Sequence, residues 1–253
     1  MNISTEEIVR EIIDNKDNRE KMGELYGELI RRLFNKCEPF QLYMQQMLEH
    51  YWPNKLYEDR ELLSDVEGIN DYIYENDYFS VDDIEFEFFS GATKGVFSVM
   101  TPTEVLPYVI KFPNIAYNVN YCQLEANYYA DAEKEGLEGY FAECFPIGTP
   151  LDKIHKDFDL PFYLQRWCDV DSYETESDAA NSLMEANEWY DDIDDALMEV
   201  SGVHGKDYTI VYALISDDTH LDDFLFTHDI GDLHGANFGK LDGDYVMVDY
   251  SGY

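Results

Sequence analysis

The stretch His228-Asp-Ile-Gly-Asp232-Leu-His-Gly-Ala-Asn237-Phe-Gly leads through a short polar turn into Tyr245-Val-Met-Val-Asp249-Tyr-Ser-Gly252-Tyr253. Glycines and polar residues predict a loop from His228, and Asp242-Gly243 predicts a hairpin turn before a strand over 245–248. Asp232 and Asn237 therefore lie five residues apart in a loop, and Asp249 ends an apolar strand twelve residues after Asn237. Phosphoryl transfer needs this order: an acid to orient the attacking hydroxyl, then an amide oxygen and a carboxylate to hold Mg²⁺.

Outward from that stretch the chain is acidic. Its 253 residues carry 54 Asp and Glu against 17 Lys and Arg, a net charge of −37. The imbalance is uneven. Residues 1–60 hold 9 basic and 12 acidic groups, an ordinary helical balance, whereas 169–223 holds 1 basic and 17 acidic groups, a net −16. So much like charge argues against direct binding of nucleic acid or an anionic membrane. It favours a basic protein partner or a strongly solvated face. The 21 Tyr, 15 Phe and 3 Trp argue against disorder and for a folded core. Cys37, Cys122, Cys144 and Cys168 are widely spaced, with no Cys-x-x-Cys pair, as expected of free thiols in a reducing cytosol. The N-terminus reads as a capped helix start rather than a signal peptide, and no run approaches the ~18–20 apolar residues of a membrane span. These features predict a cytoplasmic protein.

Helical spacing comes first. Ser4 or Thr5 can cap a helix carrying Ile8, Ile12 and Ile13, and Leu25, Leu29, Ile30, Leu33 and Phe34 continue the pattern. Further helices are expected over 40–51 and 61–74. From Asp83 the texture turns to strands: Ile84, Phe86 and Phe88 alternate with charge, then Ser90-Gly91-Ala-Thr-Lys94-Gly95 turns into 96–100, and Tyr108-Val-Ile-Lys111-Phe follows. A helix over 120–136 ending at a glycine, strands over 140–147 and 162–167, and helices over 177–200 and 208–215 complete the expected order.

This order of strand, glycine turn, strand, strand with Lys, helix with Glu, strands, helices, loop with Asp and Asn, hairpin and Asp resembles the protein-kinase-like superfamily. The resemblance covers 83–252. It implies an α+β, bilobal protein-kinase-like fold with a helical N-terminal extension over 1–80. An antiparallel N-lobe with one helix would follow over 81–168, and a truncated, acidic helical C-lobe over 169–253, without an activation segment. It also implies ATP and Mg²⁺ as cofactors. Lys111 then resembles the strand lysine on the nucleotide phosphates, and Glu125, fourteen residues on, its helix partner, with Glu133 and Glu135 as alternatives. Asp232 resembles the catalytic-loop aspartate, and Asn237 and Asp249 the metal ligands. Gly91 and Gly95 of the turn, Lys111, and Trp167 after the last strand of the lobe would contact the nucleotide. The turn departs from G-x-G-x-x-G, since only Gly95 falls in register, and Phe97 could cap it. His234 is expected to shape the loop. His228 lies outside the family's histidine position, where Ile230 predicts apolar packing.

The compact layout is also similar to the early serine/threonine kinases of T7-like bacteriophages, which implies phosphorylation of host proteins in a host cytoplasm. Asp-Leu-His at 232–234 is closer to the small-molecule phosphotransferases of the aminoglycoside and choline kinase type. Three functions are consistent with these residues. The first is a kinase acting on a protein hydroxyl. The second is an acidic kinase-fold decoy that imitates nucleic acid and blocks a basic protein. The third is a small-molecule kinase.

Overall fold

A computed structural model describes residues 3–51, 78–90, 93–113, 119–154, 159–169, 219–230, 237–242 and 244–251. The helices expected over 61–74, 177–200 and 208–215, with Gly91, Asp232, His234 and most of the acidic block, lie outside the described residues. The chain divides into two compact units, 1–126 with 144–167, and 127–143 with 168–253.

The first unit is an antiparallel sheet with helices packed on it, a mixed α+β architecture. Ser4 caps α1 (Thr5–Asp14) through a reciprocal capping box with Glu7, and Asn18 caps α2 (Arg19–Lys36) through Lys21 N–H. Helix α3 spans Glu38–Tyr51. Ile8 and Ile12 are buried as their spacing predicts, but Ile13 is exposed, since one further residue rotates it about 100° off the stripe. Leu25, Leu29, Ile30, Leu33 and Phe34 are all buried.

Six strands form the sheet: β1 (Tyr78–Val81), β2 (Ile84–Ser90), β3 (Lys94–Met100), β4 (Tyr108–Pro113), β5 (Cys144–Gly148) and β6 (Phe162–Arg166). Their spatial order is β1-β2-β3-β4-β6-β5, every neighbouring pair antiparallel. Strand β1 begins inside the expected extension and turns into β2 through Asp82, whose φ of 54° is left-handed. The two faces of the sheet differ. Phe86, Phe97, Val99, Ile110, Phe112, Phe162 and Leu164 lie on one face and share a single core with α1–α3. The helices at 1–51 therefore share the core of the sheet. The Tyr26 hydroxyl donates to Tyr108 O at 3.1 Å and accepts from Tyr108 N at 3.0 Å, joining α2 to the start of β4. Burial pushes the Tyr26 phenol well above its ordinary range. Lys94, Ser98, Lys111, Tyr163 and Gln165 alternate onto the other face.

Helix α4 (Tyr121–Glu135) follows β4 and ends at Gly136, whose φ of +75° supplies the left-handed stop that its sequence predicts. The division between units falls within α4. Where one strand over 140–147 is expected, the chain makes a 3₁₀ turn at Glu138–Tyr140 and pairs only from Cys144. The residues between are taken by the second unit, where Phe141 bridges Met247 and Ala142 N–H donates to Met247 O at 2.8 Å.

The second unit holds α5 (Thr219–Thr227) and a hairpin of β7 (Phe238–Leu241) and β8 (Asp244–Met247). Asp242 takes a φ of 52° at the turn, as its pairing with Gly243 predicts. Phe141 packs on Phe224 of α5 and on Tyr250, with ring centroids at 5.4 and 5.1 Å. The Tyr250 hydroxyl donates to Ala142 O at 2.7 Å. Among the described residues no helix is long and apolar enough to cross a membrane.

Candidate functional site

The polar face of the sheet carries one ionic cluster. Val96 pairs with Lys111 and Lys94 with Pro113, so Lys94 and Lys111 are diagonal neighbours on adjacent antiparallel strands. Glu125 of α4 reaches both: Lys94 Nζ lies 2.6 Å from Oε1 and Lys111 Nζ 2.8 Å from Oε2. Lys94 is 4% exposed, Lys111 5% and Glu125 0%. Charges this deeply buried persist only when paired and hydrogen-bonded.

The aim of Glu125 is set one turn earlier. Asn120 caps α4, its Oδ1 accepting from Gln123 N–H at 3.0 Å, while its Nδ2 donates to the Tyr163 hydroxyl at 2.9 Å. That hydroxyl in turn donates to Gln123 Oε1 at 3.0 Å. The start of the helix is thereby tied to β6, and burial pushes the Tyr163 phenol up to about 12. Beside the cluster, burial and the Glu125 charge raise the Cys144 thiol well above its ordinary value, leaving it a packing residue rather than a nucleophile. All four cysteines are free thiols.

Residue order points to Lys111 and Glu125 but places Lys94 only in the glycine turn. A lysine just after a turn reads as a solvated loop residue, and only strand register reveals it. Glu133 and Glu135 lie exposed further along α4, and Glu135 pairs with His220 at 3.3 Å. Gly95 is a residue of β3 rather than of the turn. A Cβ there would fall 2.1 Å from Phe112 Cζ, so the need for glycine comes from the ring packed over the backbone. Phe97 is buried in the core, stacked on that ring. Trp167 is half-buried just past β6, and its backbone N–H donates to Pro107 O at 2.9 Å.

In the second unit the β7–β8 register brings Asn237 and Asp249 together. Phe238 pairs with Met247, and the next step out has Asn237 O accepting from Val248 N–H at 2.7 Å and from Asp249 N–H at 3.5 Å. Twelve intervening residues thus become neighbouring positions at the open end of a hairpin. Asn237 is buried, while Asp249 is exposed and accepts from Ser251 Oγ at 3.5 Å. An amide oxygen and a carboxylate suit Mg²⁺, which takes few protein ligands and completes its shell with water and phosphate oxygens. Among the described residues no group of three or more His, Cys, Asp or Glu could hold a metal alone, so any ion here would need such outside oxygens.

Ile230 is buried, as its apolar character predicts. His228 follows α5 directly, its ring stacked on Phe224 at 4.0 Å and edge-on to Tyr128 at 4.9 Å. Its Nε2 lies 3.4 Å from Asp131, so it knits α5 to α4. No family model and no curated protein sequence matches this chain.

Proposed function

We propose that the chain is an ATP- and Mg²⁺-dependent phosphotransferase of protein-kinase-like bilobal fold, acting on a serine or threonine hydroxyl of a protein. The observation that carries the reading is the buried pair of Lys111 on β4 and Glu125 on the helix that follows it, at 2.8 Å. A glutamate that fixes a lysine on the floor of a sheet holds an ammonium group where phosphate charge can meet it without reorganisation. Asn237 and Asp249 would hold Mg²⁺, which neutralises the phosphates when bound. Asp232 would accept a hydrogen bond from the acceptor hydroxyl and orient it in line. The net charge of −37 favours a basic protein as substrate.

The test is incubation of the full chain with γ-labelled ATP and Mg²⁺, scored for autophosphorylation and for label on a basic protein. Transfer is expected in the wild type. In Asp249→Asn and Asp232→Ala it should fall by at least ~10²-fold, the scale of a lost transition-state charge contact. Absence of transfer to any protein overturns the protein-kinase reading. A folded Asp249→Asn that transfers at the wild-type rate removes Asp249 from the metal site.

A further inference from the structure

We infer that His228 is a pH-sensitive clasp, which fastens the end of α5 to α4 when both ring nitrogens carry protons and loosens when one proton is lost. The inference goes beyond the phosphotransferase reading and does not rest on it. Both ring nitrogens face acceptors: Nδ1 lies 2.9 Å from Phe224 O and Nε2 lies 3.4 Å from Asp131 Oδ2. Neither acceptor can donate. One is a carbonyl, and the other is a carboxyl that Lys134, and then His228, hold below its ordinary value, so it stays ionised wherever imidazole titrates. A neutral imidazole has one N–H and serves one of the two acceptors, whereas imidazolium serves both. The ring is held in this plane by its stack on Phe224 at 4.0 Å and by the edge contact with Tyr128 at 4.9 Å.

The end of α5 is built to favour a cation there. Asp229 N–H reaches Phe226 O at 3.3 Å and Ile230 N–H reaches Leu225 O at 2.9 Å, the pattern of a left-handed helix cap. Asp229 takes a φ of 55°, which glycine adopts freely and a residue with a side chain adopts at a cost. The last turn of α5 holds no basic residue, so an imidazolium at 228 supplies the positive charge that the negative end of the helix attracts. The other titratable neighbours are Tyr128, whose phenol is raised by burial and by the Asp229 charge, and Asp229 itself. Lys134, 2.5 Å from Asp131 Oδ1, is the opposing cation. A second pair, His220 with Glu135 at 3.3 Å, joins the same two helices, but both members are about half exposed and water screens them. The contribution of the clasp is therefore present on the acid side of imidazole titration and is lost as pH rises through it.

The experiment is amide hydrogen exchange on the full chain at about pH 5 and about pH 8, which bracket imidazole titration. Protection over 219–230 is taken relative to α2, which has no histidine, so that the general effect of pH on an acidic chain cancels. In the wild type the relative protection should fall about fivefold from the lower pH to the higher, the scale of one cation at a helix C-terminus. His228→Phe keeps the ring packing without the nitrogens and should remove most of that fall. Asp131→Asn should reduce it without abolishing it, because the Phe224 carbonyl remains. Equal relative protection at both pH values in the wild type overturns the inference, and that result needs no variant to fold. A fall that survives undiminished in folded His228→Phe also overturns it, and its loss in His220→Gln would then assign the pH sensitivity to the exposed pair.

Discussion

The ionic cluster of the first unit and the hairpin end of the second hold their charged groups in opposite ways. Lys94, Lys111 and Glu125 are at most 5% exposed, and the two strands that carry the lysines turn their other face to the core shared with α1–α3. Asp249 is exposed at the end of a two-stranded hairpin, positioned through its backbone N–H on Asn237 O. The buried set is held by ion pairs that water cannot replace, so removing one member is costly. The exposed carboxylate keeps water as an alternative partner and can change ligands at little cost. Under the proposed function, a lysine that meets phosphate would benefit from the first condition, and a carboxylate that accepts and releases a metal ion from the second.

The largest effect should come from Glu125→Ala, which removes the carboxylate that pairs with two buried ammonium groups. A loss of about 3–5 kcal/mol is expected in urea unfolding. A loss under about 1 kcal/mol would mean the cluster opens to water and would break the contrast. Next comes Gly95→Ala, which forces a methyl group toward the Phe112 ring at 2.1 Å. Overpacking of about 1–3 kcal/mol should appear in the same assay. A neutral result would show that the ring swings aside.

On the other side of the comparison, Asp249→Asn should change stability by no more than about 0.5 kcal/mol even as it removes transfer. A larger loss in unfolding would make Asp249 a structural residue like Glu125. The smallest effect is expected at Asp82, whose carboxyl is held below its ordinary value of 3.8, chiefly by Lys36 at 2.8 Å and then by Thr5. Because the folded value is the lower one, the pair's contribution is present above 3.8 and is lost as pH falls through the folded value. The pair is about half exposed, so that contribution is ~0–1 kcal/mol. Lys36→Met should flatten the acid limb of the stability–pH curve by that amount, and an unchanged limb would show that the pair does nothing measurable.

Much of the local structure was readable from residue order because it depends on neighbours along the chain. Ser4 with Glu7 announces a capping box, Gly136 a helix stop, and Asp242-Gly243 a tight turn; each is a short-range hydrogen-bonding or steric requirement. Lys111 and Glu125 were legible for the same reason, being a strand residue and a residue one turn into the next helix. Strand β1 is not legible in the sequence because Tyr78–Val81 is four residues long, too short for alternation to register. The break in the strand expected over 140–147 was equally hidden, since Phe141 and Ala142 leave the first sheet for a partner about a hundred residues away at Met247.

The sequence by itself determined the composition of the polar and apolar faces, the helix caps and turns, the acidity, and the proximity of Lys111 to a helical glutamate. Only the tertiary structure decided which lysines share that glutamate, why residue 95 must be glycine, and that the helices at 1–51 and the sheet have one core. Those outcomes rest on strand register and on packing between segments far apart in the chain. A one-residue slip in the pairing of β3 with β4 would turn Lys94 to the core face and lose the cluster. Register of that kind is chosen by the whole core at once, by Phe97, Phe112 and Phe162 against Phe40 and Phe79, and no single stretch of sequence specifies it.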